Sequence, residues 1–67
     1  MKADDVKRFA GQIVRVRIRL RPAADGRLVF GSDPQRWFVL DRKHGYVVAE
    51  MWAAEITSIT RIKEAAA

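Results

Sequence analysis

From Val14 to Arg21 the chain alternates without a break. Val14, Val16, Ile18 and Leu20 are apolar, and Arg15, Arg17, Arg19 and Arg21 stand between and after them. A period of two is the period of a β-strand, whose successive side chains leave opposite faces. A helix would instead bring residues three and four apart onto one face. Gln12 to Arg21 therefore reads as a strand with one buried face and one wet face. On the wet face four guanidinium groups follow one another at about 6.7 Å, two residues per step. Like charges at that spacing repel, so the row favours acidic partners. Two kinds fit. One is a solvated face paired across the sheet with Glu50, Glu55 or Asp41. The other is the phosphates of a nucleic acid, which guanidinium groups bind in a bidentate manner.

The next stretch, Gly26 to Asp41, predicts a hairpin. Leu28-Val29-Phe30 and Trp37-Phe38-Val39-Leu40 are apolar runs, and Gly31-Ser32-Asp33-Pro34 between them is a cluster of turn formers. Pro22 ends the first strand because it lacks a backbone donor, and Asp25-Gly26 reads as a hairpin-turn pair. Strands are expected over Arg27 to Gly31, Trp37 to Arg42, Tyr46 to Trp52, and Ile56 to Ile62. In the Tyr46 to Trp52 strand, Tyr46, Val48, Glu50 and Trp52 share one side and Val47, Ala49 and Met51 the other. The β-branched run Ile56-Thr57-Ser58-Ile59-Thr60 favours strand over helix. Ala53-Ala54-Glu55 reads as a tight turn, and Lys63 to Ala67 as a helical or frayed tail. At the start, Ala3 to Ala10 reads as a short helix with Val6, Phe9 and Ala10 on one face. Asp4 or Asp5 is expected to cap it and Gly11 to end it.

One helix and five short strands in 67 residues predict a single all-β domain, a small, strongly bent barrel. So short a chain buries only about 60% of its unfolded surface. It has no cysteine for a disulfide or thiolate metal site, and one histidine, His44, forms no metal cluster alone. Oligomerisation is the remaining way to bury more surface, so a homo-oligomer is expected. The formal net charge is +5, and nine of the 13 basic residues are Arg. That composition suits a nucleic-acid partner. No apolar run approaches the roughly 20 residues of a membrane helix. Met1-Lys2-Ala3-Asp4-Asp5 has no signal-peptide pattern, which makes the cytoplasm the expected compartment. No Gly-rich phosphate loop occurs, and spacing does not bring Ser32, Asp33 and His44 together. No catalytic residue, cofactor or metal is expected.

The layout resembles the Sm-like family, whose members include a bacterial RNA chaperone. The family's first motif has a Gly, an Asp seven residues on, an Asn four further, and an apolar run. Gly26, Asp33, Trp37 and Phe38-Val39-Leu40 fall at those spacings. The apolar frame of the second motif matches Met51-Trp52-Ala53-Ala54-Glu55-Ile56-Thr57-Ser58-Ile59. Phe9-Ala10-Gly11, followed by Val14-Arg15-Val16-Arg17, is similar to the family's approach to strand one. The resemblance implies a ring in which strand four of one subunit pairs with strand five of the next. Tyr46, Val48, Trp52, Ile56 and Ile59 would then be interface residues. The family's base pocket is not repeated. Trp37 replaces the Asn, Trp52 and Ala53 replace an Arg-Gly pair, and Gln35 stands where a stacking ring is common.

Two functions follow as expectations. In the first, single-stranded RNA or DNA binds through Arg15, Arg17, Arg19 and Arg21 and a rim of Arg36, Trp37, Arg42 and Lys43. His44 adds a phosphate contact or is a solvated turn residue. Trp37 and Trp52 stack on bases, or fill the core or a subunit interface. In the second, the ring is a protein-interaction or small-ligand scaffold that binds no nucleic acid.

Overall fold

A computed structural model describes residues 1–62, so the expected tail from Lys63 to Ala67 lies outside the described residues. The elements in order are α1 (Ala3–Lys7), β1 (Ile13–Ile18), β2 (Ala24–Ser32), β3 (Arg36–Leu40), β4 (Val47–Trp52), a 3₁₀ turn (Ala53–Glu55) and β5 (Ile56–Arg61). The chain is all-β, with five strands and one short N-terminal helix. Every neighbouring pair is antiparallel, in the order β4-β3-β2-β1-β5. β4 and β5 are the two edges of the sheet, so the sheet is open.

The alternation in β1 does what its period demands. Val14, Val16 and Ile18 are buried, while Arg15 and Arg17 are exposed. Leu28 of β2, Trp37 and Val39 of β3, Met51 of β4 and Ile56 of β5 join them in one core, with Val6 of α1 and Ala53. A flat five-stranded sheet could not shield that face with a five-residue helix. The flanks must curl toward each other. The ladder shifts register at Arg17/Ile18, Phe30/Ser32 and Val39/Leu40, and such bulges sharpen strand bending and twist. Gly26 packs directly against the backbone of β3. A β-carbon added there would lie 2.1 Å from the Leu40 carbonyl oxygen.

Four local expectations change. The helix ends at Lys7, and Lys2 holds the N-cap position with no side-chain cap. Asp4 and Asp5 lie in the first turn, where they favour the positive end of the helix dipole without capping it. The pair Asp25-Gly26 lies inside β2, not in a turn, because β2 begins at Ala24. Finally, β1 stops at Ile18. The Arg21 N–H bonds the Ile18 carbonyl at 3.2 Å, and Leu20 takes φ 59° in that turn. Leu20 is therefore 96% exposed and does not extend the apolar face.

A left-handed residue with a β-carbon costs about 1–2 kcal/mol, and glycine avoids that cost. Glycine also gives the unfolded chain more freedom, worth about 0.5–1 kcal/mol. Leu20→Gly is thus expected to stabilise the domain, by less than about 1 kcal/mol, since the leucine side chain packs on nothing. A rise in the urea midpoint at unchanged slope checks this. A fall would show that Leu20 makes a contact.

Candidate nucleic-acid interface

Antiparallel order brings one end of every strand together. The end of β1, the start of β2, the end of β3, and the starts of β4 and β5 share one end of the sheet. Arg17 stands on the exposed face of β1 one residue from this end, and Arg15 two residues further back. Arg19 and Arg21 lie in the turn just beyond, and Arg42 and Lys43 in the turn between β3 and β4. The sheet thus gathers six of the eight expected nucleic-acid residues at one end.

Arg36 and Trp37 are separated from them. Both lie at the start of β3, about 17 Å of strand away at 3.4 Å per residue. The expected rim of Arg36, Trp37, Arg42 and Lys43 is therefore not one surface. Trp37 is also 1% exposed. Its ring meets Phe30 edge-on at 5.3 Å, and its indole N–H donates to Gln35 Oε1 at 3.3 Å. It fills the core and cannot stack on a base while the core is intact. Arg36 pairs with Glu50 and lies over the Trp52 ring at 5.6 Å.

The acids are distributed differently from the sequence expectation. Of Glu50, Glu55 and Asp41, Glu55 alone faces the arginine row, reaching Arg21 at 3.5 Å. Its other carboxylate oxygen accepts the Trp52 N–H at 2.8 Å, and its carbonyl accepts the Arg19 N–H at 2.9 Å. Asp25 is the acid that sequence reasoning missed. It lies directly opposite Arg15, and the two form a bidentate pair at 2.8 and 3.0 Å. That hydrogen bond holds the Asp25 carboxyl below its ordinary range. The missing signal was register: an Asp read as part of a turn is not assigned a cross-strand partner.

Arg15 is thereby neutralised, and Arg17 and Arg19 have no acidic partner among the described residues. Arg17 stands opposite Ser58, and Arg15 opposite Thr60. The neighbouring outer face of β5 therefore offers hydroxyls and no carboxylate. The charge of Arg42 lowers the Asp25 pKa further.

The turn after β3 is rigidly built. The Asp41 carboxylate accepts the His44 N–H at 2.7 Å and the Lys43 N–H at 3.1 Å, with His44 Nδ1 also 3.1 Å away. Those bonds, the His44 N–H first, hold the Asp41 carboxyl low. The backbone closes through Asp41 N–H to the Tyr46 carbonyl at 2.7 Å and Gly45 N–H to the Asp41 carbonyl at 3.0 Å.

Of the expected interface residues, Tyr46, Val48 and Trp52 are 59%, 41% and 44% exposed. Ile59 is half-buried against the core. Ile56 is 1% exposed because it pairs with Ile18 and points inward, so it is a core residue and not an interface residue. Among the described residues no three His, Asp or Glu side chains could hold a metal ion. No described helix is long and apolar enough to cross a membrane.

No family model matches this chain, and neither the curated proteins nor the solved structures include a significant match to it.

Proposed function

We propose that this protein binds single-stranded nucleic acid, RNA first, through the basic end of its sheet. The observation that carries the reading is the state of Arg17 and Arg19. Both are exposed and without an acidic partner among the described residues. Arg17 stands opposite Ser58 of β5, and Arg42 and Lys43 lie at the same end of the sheet, in a chain of net charge +5. Arg15 and Arg36, by contrast, are matched by acids within the fold. Two unmatched guanidinium groups fit backbone phosphates, with which they form charge-assisted, bidentate hydrogen bonds. Arg21, held loosely by Glu55, is an adjacent contact.

The subunit is proposed to be a bent, Sm-like barrel that closes by assembly. The open sheet supports this. β4 and β5 each leave a row of backbone groups unpaired. Val47, Val48 and Trp52 are exposed on β4. Pairing β4 of one copy with β5 of the next would satisfy both edges and bury those side chains. The mass in solution, measured by light scattering, is then a multiple of the monomer mass. A monomer at all concentrations rejects the ring.

Binding is tested by fluorescence anisotropy of a labelled single-stranded oligonucleotide. Affinity is expected to fall steeply between low and moderate salt, as phosphate contacts require. An affinity that salt does not change rejects the phosphate reading. A second reading, an oligomeric protein-interaction or small-ligand scaffold, is favoured by the exposed Trp52 and Val48 on an unpaired edge. It gives the same mass with no oligonucleotide binding.

A further inference from the structure

The geometry of the turn between β3 and β4 points to a base-stacking subsite on the His44–Tyr46 ring pair. This inference rests on the nucleic-acid reading above and adds a place where the bases themselves are held.

The two rings lie nearly parallel, 16° apart in plane and 6.2 Å between centroids. The Tyr46 residue is 59% exposed and the His44 side chain 72% exposed. The histidine ring and the tyrosine backbone are held in place. Asp41 holds the histidine by its backbone N–H and by Nδ1, and the Tyr46 carbonyl accepts the Asp41 N–H. Gly45 stands between the two ring residues at φ 75° with open space around it. Glycine takes that conformation without steric cost. The histidine ring is therefore oriented before any ligand arrives, and a preorganised site loses less entropy on binding.

The chemistry beside the rings selects the ligand. Arg42 and Lys43 precede His44 in the same turn, and Arg17 and Arg19 lie at the same end of the sheet. A flat ring followed by a negative charge is what this arrangement accepts, and a nucleotide in a single strand has that form. Stacking needs only a π-face, so every base is tolerated, purines more tightly for their larger area. A duplex hides its bases within its own stack. It can meet the cations but not the rings.

The chain has one His and one Tyr, so their ring protons are single, assignable signals. The full chain is titrated with oligoadenylate, with oligouridylate and with a duplex of the same length, while anisotropy follows binding. Both ring signals are expected to move upfield with the anisotropy midpoint, more for adenylate than for uridylate, and to stay still with duplex. Tyr46→Ala is expected to weaken single-strand binding at least about fivefold, the low end of a lost stacking contact. Tyr46→Phe should retain it. Both variants keep the backbone carbonyl that closes the turn. Oligonucleotide binding with unmoved ring signals, or full affinity in Tyr46→Ala, overturns the stacking subsite and leaves the nucleic-acid reading standing. No binding by the native chain at low salt overturns both.

Discussion

Gly26→Ala is expected to unfold this domain or to break the pairing of β2 with β3. The added β-carbon would lie 2.1 Å from the Leu40 carbonyl oxygen and 3.0 Å from its carbonyl carbon. Both atoms belong to backbone that pairs with the next residue, Arg27, so neither can swing aside. Relief requires moving one strand from the other along the ladder. The expected loss exceeds about 3 kcal/mol, which is large against the roughly 0.05–0.15 kcal/mol per residue that holds domains together. Gly31→Ala is the control. Its β-carbon meets the Phe38 ring at 2.5 Å, a side chain that can rotate away, and a backbone oxygen, that of Arg36, only at 3.1 Å. A loss of about 1 kcal/mol is expected there. Urea denaturation followed by circular dichroism separates the two. A Gly26→Ala protein as stable as Gly31→Ala would mean that β2 and β3 are not so close.

The second large effect distinguishes the two tryptophans. Trp37→Ala removes a ring that is 1% exposed at the centre of the core, and is expected to cost about 3–5 kcal/mol. In a domain this small that leaves little or no folded protein at room temperature. Trp52 is 44% exposed on the outer face of β4, under Arg36. Trp52→Ala is expected to leave the subunit folded, with a native circular dichroism spectrum, and to lower the mass seen by light scattering. A folded Trp37→Ala protein would contradict the core assignment. A Trp52→Ala protein of native mass would contradict the β4 interface.

The two tryptophans also show what the sequence could reveal. Both sit in apolar strand runs, and β3, with Trp37-Phe38-Val39-Leu40, is apolar on both faces. Without alternation there is no inward side to read, so composition leaves Trp37 equally suited to rim or core. β1 was legible because arginine and valine alternate there. The pattern carried one step too far at Leu20, which continues the period while the backbone turns away from the sheet. Asp25-Gly26 has the composition of a turn, yet the glycine serves a close strand approach and the aspartate an arginine across the ladder. Local composition cannot distinguish those uses, because cross-strand register is a property of two segments. The same limit explains the site. The arginine row was visible as a row, whereas the pairing of Arg15 and the lack of an acid beside Arg17 and Arg19 required knowing what lies opposite each residue. The ring pair at His44 and Tyr46 gave a weaker signal, two aromatic side chains flanking a glycine after two cations.

In the proposed function Arg17 and Arg19 bind phosphates. The most direct measurement is the dependence of oligonucleotide affinity on salt for the native chain and for an Arg17→Ala, Arg19→Ala double variant. Each phosphate contact to a single strand contributes a slope of about −0.7 in log affinity against log salt. The native chain is expected to give a steep line, and the variant a line shallower by about 1.4 with weaker binding throughout. Identical slopes for the two proteins, or a flat line for the native chain, would contradict the assignment of these arginines to phosphate.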